Sequence, residues 1–266
     1  MKRVRKQGRW GDLPKRMASA LIMLAIGAVE IWLGGITFTL LVLILTGLMM
    51  WELGRMQRPD ADWVPVALGG LAAGSLYAVL MAAPFLQVPL LFLPSFAAFG
   101  LVKHRKVAFV YALAIMLAGY TLIDLRALAG TPVIVWLISL VVVSDVTGYF
   151  AGRTFGGPKF WPRVSPNKTW SGTVAGWIGA VVVGTAFVIL QDAPWQLIIL
   201  SPVISLAGQL GDIAESWIKR RAEVKDSSGL IPGHGGVLDR FDALIGAVVA
   251  ILLLGLLFPL PIPSGL

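Results

Sequence analysis

Long apolar runs broken by short polar or glycine/proline punctuation dominate the chain. Read against those breakers, they predict nine helical spans, at 18–34, 36–54, 64–82, 86–102, 107–124, 132–150, 172–190, 195–218 and 240–259. Most approach the ~20 residues a helix needs to cross about 30 Å of hydrocarbon. Gly34–Gly35 splits the first long run into a tight hairpin, and Pro84 and Pro89 separate the third run from the fourth, which itself carries Pro94. The expected fold is all-α: a polytopic integral membrane helical bundle of about nine transmembrane helices.

Basic residues test this count independently. With the N-terminus in the cytoplasm and alternating spans, the basic residues before Met17 fall inside. So do Arg55 and Arg58; Lys103, Arg105 and Lys106; Arg153, Lys159, Arg163 and Lys168; and Lys219, Arg220, Arg221, Lys225 and Arg240. Of the 22 Lys and Arg, Arg126 alone falls outside, as the positive-inside rule requires. The C-terminus is then extracytoplasmic. The chain divides into a basic cytoplasmic segment 1–17, N-terminal transmembrane helices over 18–130 and a C-terminal transmembrane region with two cytoplasmic loops over 131–266. Two long polar loops, 151–171 and 219–239, fall on the cytoplasmic side, and such loops tend to carry function.

Composition narrows the chemistry. The chain is 57% hydrophobic and 14% charged, with a mean hydropathy of +0.82, against roughly 25% charged in soluble domains. It has no cysteine and two histidines, which excludes disulfides, thiolate chemistry and a zinc site of several imidazoles. A metal here would be a hard cation on carboxylates, such as Mg²⁺. The net charge of +8 is explained by topology, so no nucleic-acid partner is expected. The basic N-terminus leads into an apolar stretch without a cleavage pattern and reads as retained.

Carboxylates in a bilayer are costly and usually line a site. Glu30 and Glu52 read as structural or interfacial. Asp145 sits near the end of the sixth span; Asp212 and Glu215, three residues apart on one helix face with Ser216 beyond, near the end of the eighth; Asp239 and Asp242 open the ninth. Helix-terminus complementation explains one acid per helix, but not three spans bringing acids to one depth, where a cation would relieve their repulsion. Between them runs KRRAEVKDSSGLIPGHGGVLDRFD, glycine-rich and basic, a pattern suited to anions. The other loop offers Arg153, Gly156, Gly157, Lys159, Arg163 and SPNKT. Phosphate-binding cations beside carboxylates that hold Mg²⁺ are the parts of phosphoryl or nucleotidyl transfer. A transporter would instead place its acids near the midplane.

The stretch from Ser216 to Asp242 resembles the signature of phosphatidate cytidylyltransferases, the CDP-diacylglycerol synthases, through Ser216, Lys219, Arg220, Lys225, Asp226, Pro232, His234, Gly235, Gly236, Asp239, Arg240 and Asp242. A second block with Asp145, Tyr149, Phe150, Gly152, Arg153, Phe155 and Gly156, then Ser165, Pro166, Lys168 and Thr169, is similar to that family as well. The matching blocks cover roughly the C-terminal half. Many relatives carry an acid where this chain has Ser171, and no role is assigned there. The resemblance implies condensation of CTP with phosphatidic acid to CDP-diacylglycerol and pyrophosphate in phospholipid biosynthesis, with Mg²⁺ and room for a second cation; the bare N-terminus suits a bacterial inner membrane better than an organelle. It leaves a homodimer open. It implies Asp212, Asp239 and Asp242 as metal ligands and, with Lys225, as catalytic residues. Arg153, Ser165, Lys168, Thr169, Lys219, Arg220, His234 and Arg240 would bind substrate; His234 reads equally as a turn residue. Asp145 and Glu215 stand second in line for metal or base roles. Other CTP-dependent lipid synthases and polyprenol kinases share the chemistry but not the complete signature.

Overall fold

The computed structural model describes residues 13–265. The expected basic segment lies outside the described residues as far as Asp12; from Leu13 onward the chain is already helical. The helices are α1 (Leu13–Leu33), α2 (Gly35–Gln57), α3 (Trp63–Met81), α4 (Pro84–Leu101), α5 (Arg105–Ala129), α6 (Thr131–Phe155), α7 (Trp170–Leu190), α8 (Leu197–Arg221) and α9 (Leu238–Gly255). Between α6 and α7 lies a hairpin of β1 (Lys159–Trp161) and β2 (Ser165–Thr169). Among the described residues, the nine expected spans are all helices in the expected order, and α2–α8 are each long and apolar enough to cross a membrane. The chain is a multi-pass membrane protein.

Breakers act as the pattern implies. Gly34 takes φ 63° between α1 and α2, a conformation that costs glycine little. The fourth span is one helix despite its internal prolines. Pro94 has no N–H to offer the Leu90 carbonyl four residues earlier, and Ser75 Oγ of α3 donates to that carbonyl instead at 2.5 Å.

Two differences reshape the polar loops. Helix α6 runs to Phe155 and α8 to Arg221, so Arg153, Lys219 and Arg220 sit on helices rather than in loops. The remaining 156–169 connection folds into the antiparallel hairpin, pairing Lys159 with Thr169 and Trp161 with Ser165. Strands this short leave no readable alternation in sequence.

Helices α2–α5 pack as one group and α6–α9 as another, joined by α5 and α2 against α9. Small residues let backbones touch, as is common in membrane bundles. A Cβ on Gly172 of α7 would lie 2.6 Å from the Gly148 carbonyl of α6, and one on Gly211 of α8 would lie 2.5 Å from the Asp242 carbonyl of α9. These contacts bring α6, α7, α8 and α9 together at the end of the bundle that carries both polar connections.

Candidate active site

Three helices, α6, α7 and α8, and strand β2 enclose a cavity of about 500 Å³. On α6, Asp145, Gly148, Tyr149, Gly152 and Arg153 recur at the three- and four-residue spacing of one helix face and form one wall. Lys168 from β2, Thr169 and Thr173 at the start of α7, and Gln209 and Asp212 from α8 form the others. The wall thus carries two carboxylates and two cations at the boundary between apolar helices and the polar end.

Hydrogen bonding makes this wall rigid. Lys168 Nζ lies 2.5 Å from Asp212 Oδ2 and donates to the Gln209 carbonyl at 3.2 Å. Gln209 Nε2 donates to Ser144 Oγ at 3.1 Å, and its Oε1 accepts from Trp177 Nε1 at 3.0 Å. Ser205 Oγ donates to the same Ser144 hydroxyl at 2.9 Å. Thr169 caps α7 by accepting from Gly172 N, a typical use of threonine at a helix start. Arg153 Nη1 donates to Tyr149 Oη at 2.7 Å. Ser144, Ser205 and Gln209 were not singled out by the sequence; polar residues one helical turn apart within the apolar part of α8 were the available signal.

Beside the cavity, α8 and α9 carry a second charged group. Lys219 is ion-paired to Glu215, one turn earlier, and lies 2.6 Å from Asp239 Oδ1. Glu215 is fully buried and accepts no further hydrogen bond. Asp239 is amply satisfied: its Oδ2 accepts from Ser227 N at 2.9 Å, Ser227 Oγ at 3.0 Å and Gly236 N at 2.7 Å. Asp242, 9% exposed, lies where the α8 and α9 backbones touch, next to Asp212 in the chain of contacts through Gly211.

The glycine-rich loop is held from outside the C-terminal half. Glu52 of α2 accepts from two loop hydroxyls and from the first amides of α9. The sequence reading left this residue structural or interfacial. Ser19 of α1 bonds to the Pro232 carbonyl at 3.1 Å and lies 2.8 Å from His234 Nδ1, so His234 faces α1. Arg220, Lys225 and Arg240 are exposed around the loop, and Ser165 opens β2 without lining the cavity. Ser171 donates to the Gly156 carbonyl at 2.5 Å, tying the hairpin's base to α7.

Among the described residues, no three acidic or imidazole groups form a complete metal shell. Mg²⁺ seldom uses one; it is commonly held by one or two carboxylates, with water and substrate phosphates filling the remaining positions. Asp145 and Asp212, opening onto one cavity, are a donor set of that kind.

The sequence model described as the Cytidylyltransferase family matches residues 14–258. The phosphatidate cytidylyltransferase of Brucella abortus biovar 1 (strain 9-941) is 35% identical over 260 residues, covering 94% of this chain and 96% of its own. The phosphatidate cytidylyltransferase of Bacillus subtilis (strain 168) is 29% identical over 254 residues, covering 88% and 94%.

Proposed function

The chain belongs to the cytidylyltransferase family, and from that membership we propose that it condenses CTP with phosphatidic acid to CDP-diacylglycerol and pyrophosphate. The observation that carries this reading is the cavity, where Arg153 and Lys168 stand beside Asp145 and Asp212 at the end of apolar helices. An amphiphilic phosphate and a soluble triphosphate can meet at such a boundary.

In the reaction a phosphate oxygen of phosphatidic acid attacks the α-phosphorus of CTP. A new P–O bond forms, the bond to the β-phosphate oxygen breaks, and pyrophosphate leaves with that electron pair. The nucleophile is already an anion, so no general base is required. What the site supplies is orientation and positive charge. Lys168, now paired with Asp212, would turn to an incoming phosphate, and Arg153 would meet a second one across the cavity. Arg220, Lys225 and Arg240, exposed around the glycine loop, would receive the triphosphate tail. Lys219 holds α8 and α9 in register through Glu215 and Asp239.

Asp145 and Asp212, which open onto the cavity, would hold Mg²⁺, which would supply neutralisation of charge on the phosphates; Asp242, at the α8–α9 contact, does not line the cavity. Asp239, whose oxygens already accept from the loop and Lys219, serves in this reading as the anchor of that loop. The basic pattern along the chain supports a cytoplasmic site with an extracytoplasmic C-terminus.

The test is turnover by the purified protein in detergent, with labelled CTP, phosphatidic acid and Mg²⁺. CDP-diacylglycerol should form, and EDTA should stop it until Mg²⁺ is restored. No product under any metal or detergent condition overturns the function; product made equally well in EDTA overturns the metal.

A further inference from the structure

Glu52 takes no part in the reaction just described, yet it is 0% exposed near the end of α2. Its Oε1 accepts from Ser228 Oγ at 2.6 Å and Val237 N at 2.9 Å. Its Oε2 accepts from Leu238 N at 2.6 Å and Ser227 Oγ at 3.1 Å. Each partner belongs to the glycine loop or to the start of α9, and no cation pairs with Glu52 among the described residues. A buried carboxylate lacking a counter-ion is costly unless its lone pairs are filled. Here they are filled by two hydroxyls and two amides at a helix N-terminus, where unpaired N–H groups and the helix dipole favour negative charge.

Helix α9 has no side-chain cap from its own N-cap residue, Val237; the cap comes from α2. A local serine or aspartate could have capped the helix. A cap borrowed from α2 also fixes where the loop and the first turn of α9 sit. The tie continues inward: the Ser227 hydroxyl lies within hydrogen-bond distance of both Glu52 and Asp239 Oδ2, and Asp239 reaches Lys219. The fit is tight enough that a Cβ on Gly236 would overlap Ser227 Oγ and meet Glu52 Oε1.

We propose that Glu52 is a positioning residue for the transfer reaction: acting through the glycine loop and the first turn of α9, it fixes Asp239 against Lys219 and Asp242 against α8. The N-terminal helices thereby complete a site whose other parts lie in the C-terminal half. This rests on the proposed cytidylyl transfer.

The experiment compares kcat and KM of Glu52→Gln, Glu52→Asp and Ser228→Ala with wild type in the same detergent assay, each rate expressed per monodisperse, folded molecule. Glutamine keeps the shape but turns an N–H donor toward N–H and O–H donors. Its kcat should fall on the order of 100-fold, the effect of about 1 Å of misplacement. Its KM for phosphatidic acid should change little, because the cavity walls do not include Glu52. Aspartate, which retains charge and acceptors, should restore about tenfold of the lost rate, and Ser228→Ala, removing one bond of four, should lower kcat less than Glu52→Gln. If Glu52→Gln does not fold, Glu52→Asp and Ser228→Ala decide, each expected below wild type in kcat at unchanged KM. Wild-type kcat in the folded variants, or equal loss in Gln and Asp, overturns the inference alone. An inactive wild-type protein overturns the function and this inference together.

Discussion

Lys219 stands between two carboxylates, and removing it should have unequal consequences for them. Its side chain is 14% exposed, against 0% for Glu215 and 4% for Asp239. At an effective dielectric near 20, contacts this short correspond to about 6 kcal/mol of attraction each, most of it offset by desolvation of the three groups. Lys219→Met removes the attraction and leaves the desolvation, and breaking a buried pair in this way typically costs about 3–5 kcal/mol. For a chain of this size that is a fall in Tm on the order of 10 °C, measured by thermal unfolding in detergent. Second-site rescue makes the reasoning sharper. Glu215 has no hydrogen bond to fall back on, whereas Asp239 keeps Ser227 N, Ser227 Oγ and Gly236 N. Adding Glu215→Gln to Lys219→Met should therefore recover most of the lost stability, while adding Asp239→Asn should recover little or lower it further. A Lys219→Met protein within about 1 kcal/mol of wild type would refute the account of the pair, and better rescue by Asp239→Asn would refute the assignment of the burden to Glu215.

Other perturbations reach other parts of the site. Lys168→Met, which leaves Asp212 without its cation, should lower kcat/KM for CTP by about 100-fold or more, read in the same turnover assay with Tm as the control. Gly172→Ala would drive a methyl against the Gly148 carbonyl; overpacking of this kind costs about 1–3 kcal/mol, and the shift of α6 from α7 should lower Tm and turnover together. A reporter fused after Leu266 should score as extracytoplasmic; a cytoplasmic signal would contradict the odd number of spans.

What the sequence made legible follows from the range of each signal. Apolar runs and their breakers are local, so the helices and their order could be read directly, including the fourth, where Ser75 serves the Leu90 carbonyl that Pro94 leaves open. Loop content was less accessible: a hairpin of three and five residues is too short to show periodicity. Residues that spacing put on one helix face do share a wall of the cavity, as Asp145 and Arg153 on α6 do. Partners across helices were not. Nothing in SPNKT says that Lys168 meets Asp212, nothing in DSSG that Ser227 turns toward Asp239. Glu52 had one visible cue, a carboxylate inside the last turn or two of an apolar helix. Its partners lie more than 170 residues away, and a single sequence carries no record of that meeting.

The clasp of α2 on α9 also orders the making of the protein. Helices enter the bilayer in the sequence in which they leave the ribosome, so Glu52 is delivered early, while the donors that satisfy it arrive late, two hydroxyls with the glycine loop and two amides with the start of the last helix. A nascent chain halted before Val237 would hold Glu52 with neither of the amides that receive it, and Lys219 would face Glu215 without Asp239. Such fragments should be poorly tolerated and prone to removal by membrane proteases. Completion of the final helix is thus the moment at which the chain becomes both chemically competent and worth keeping.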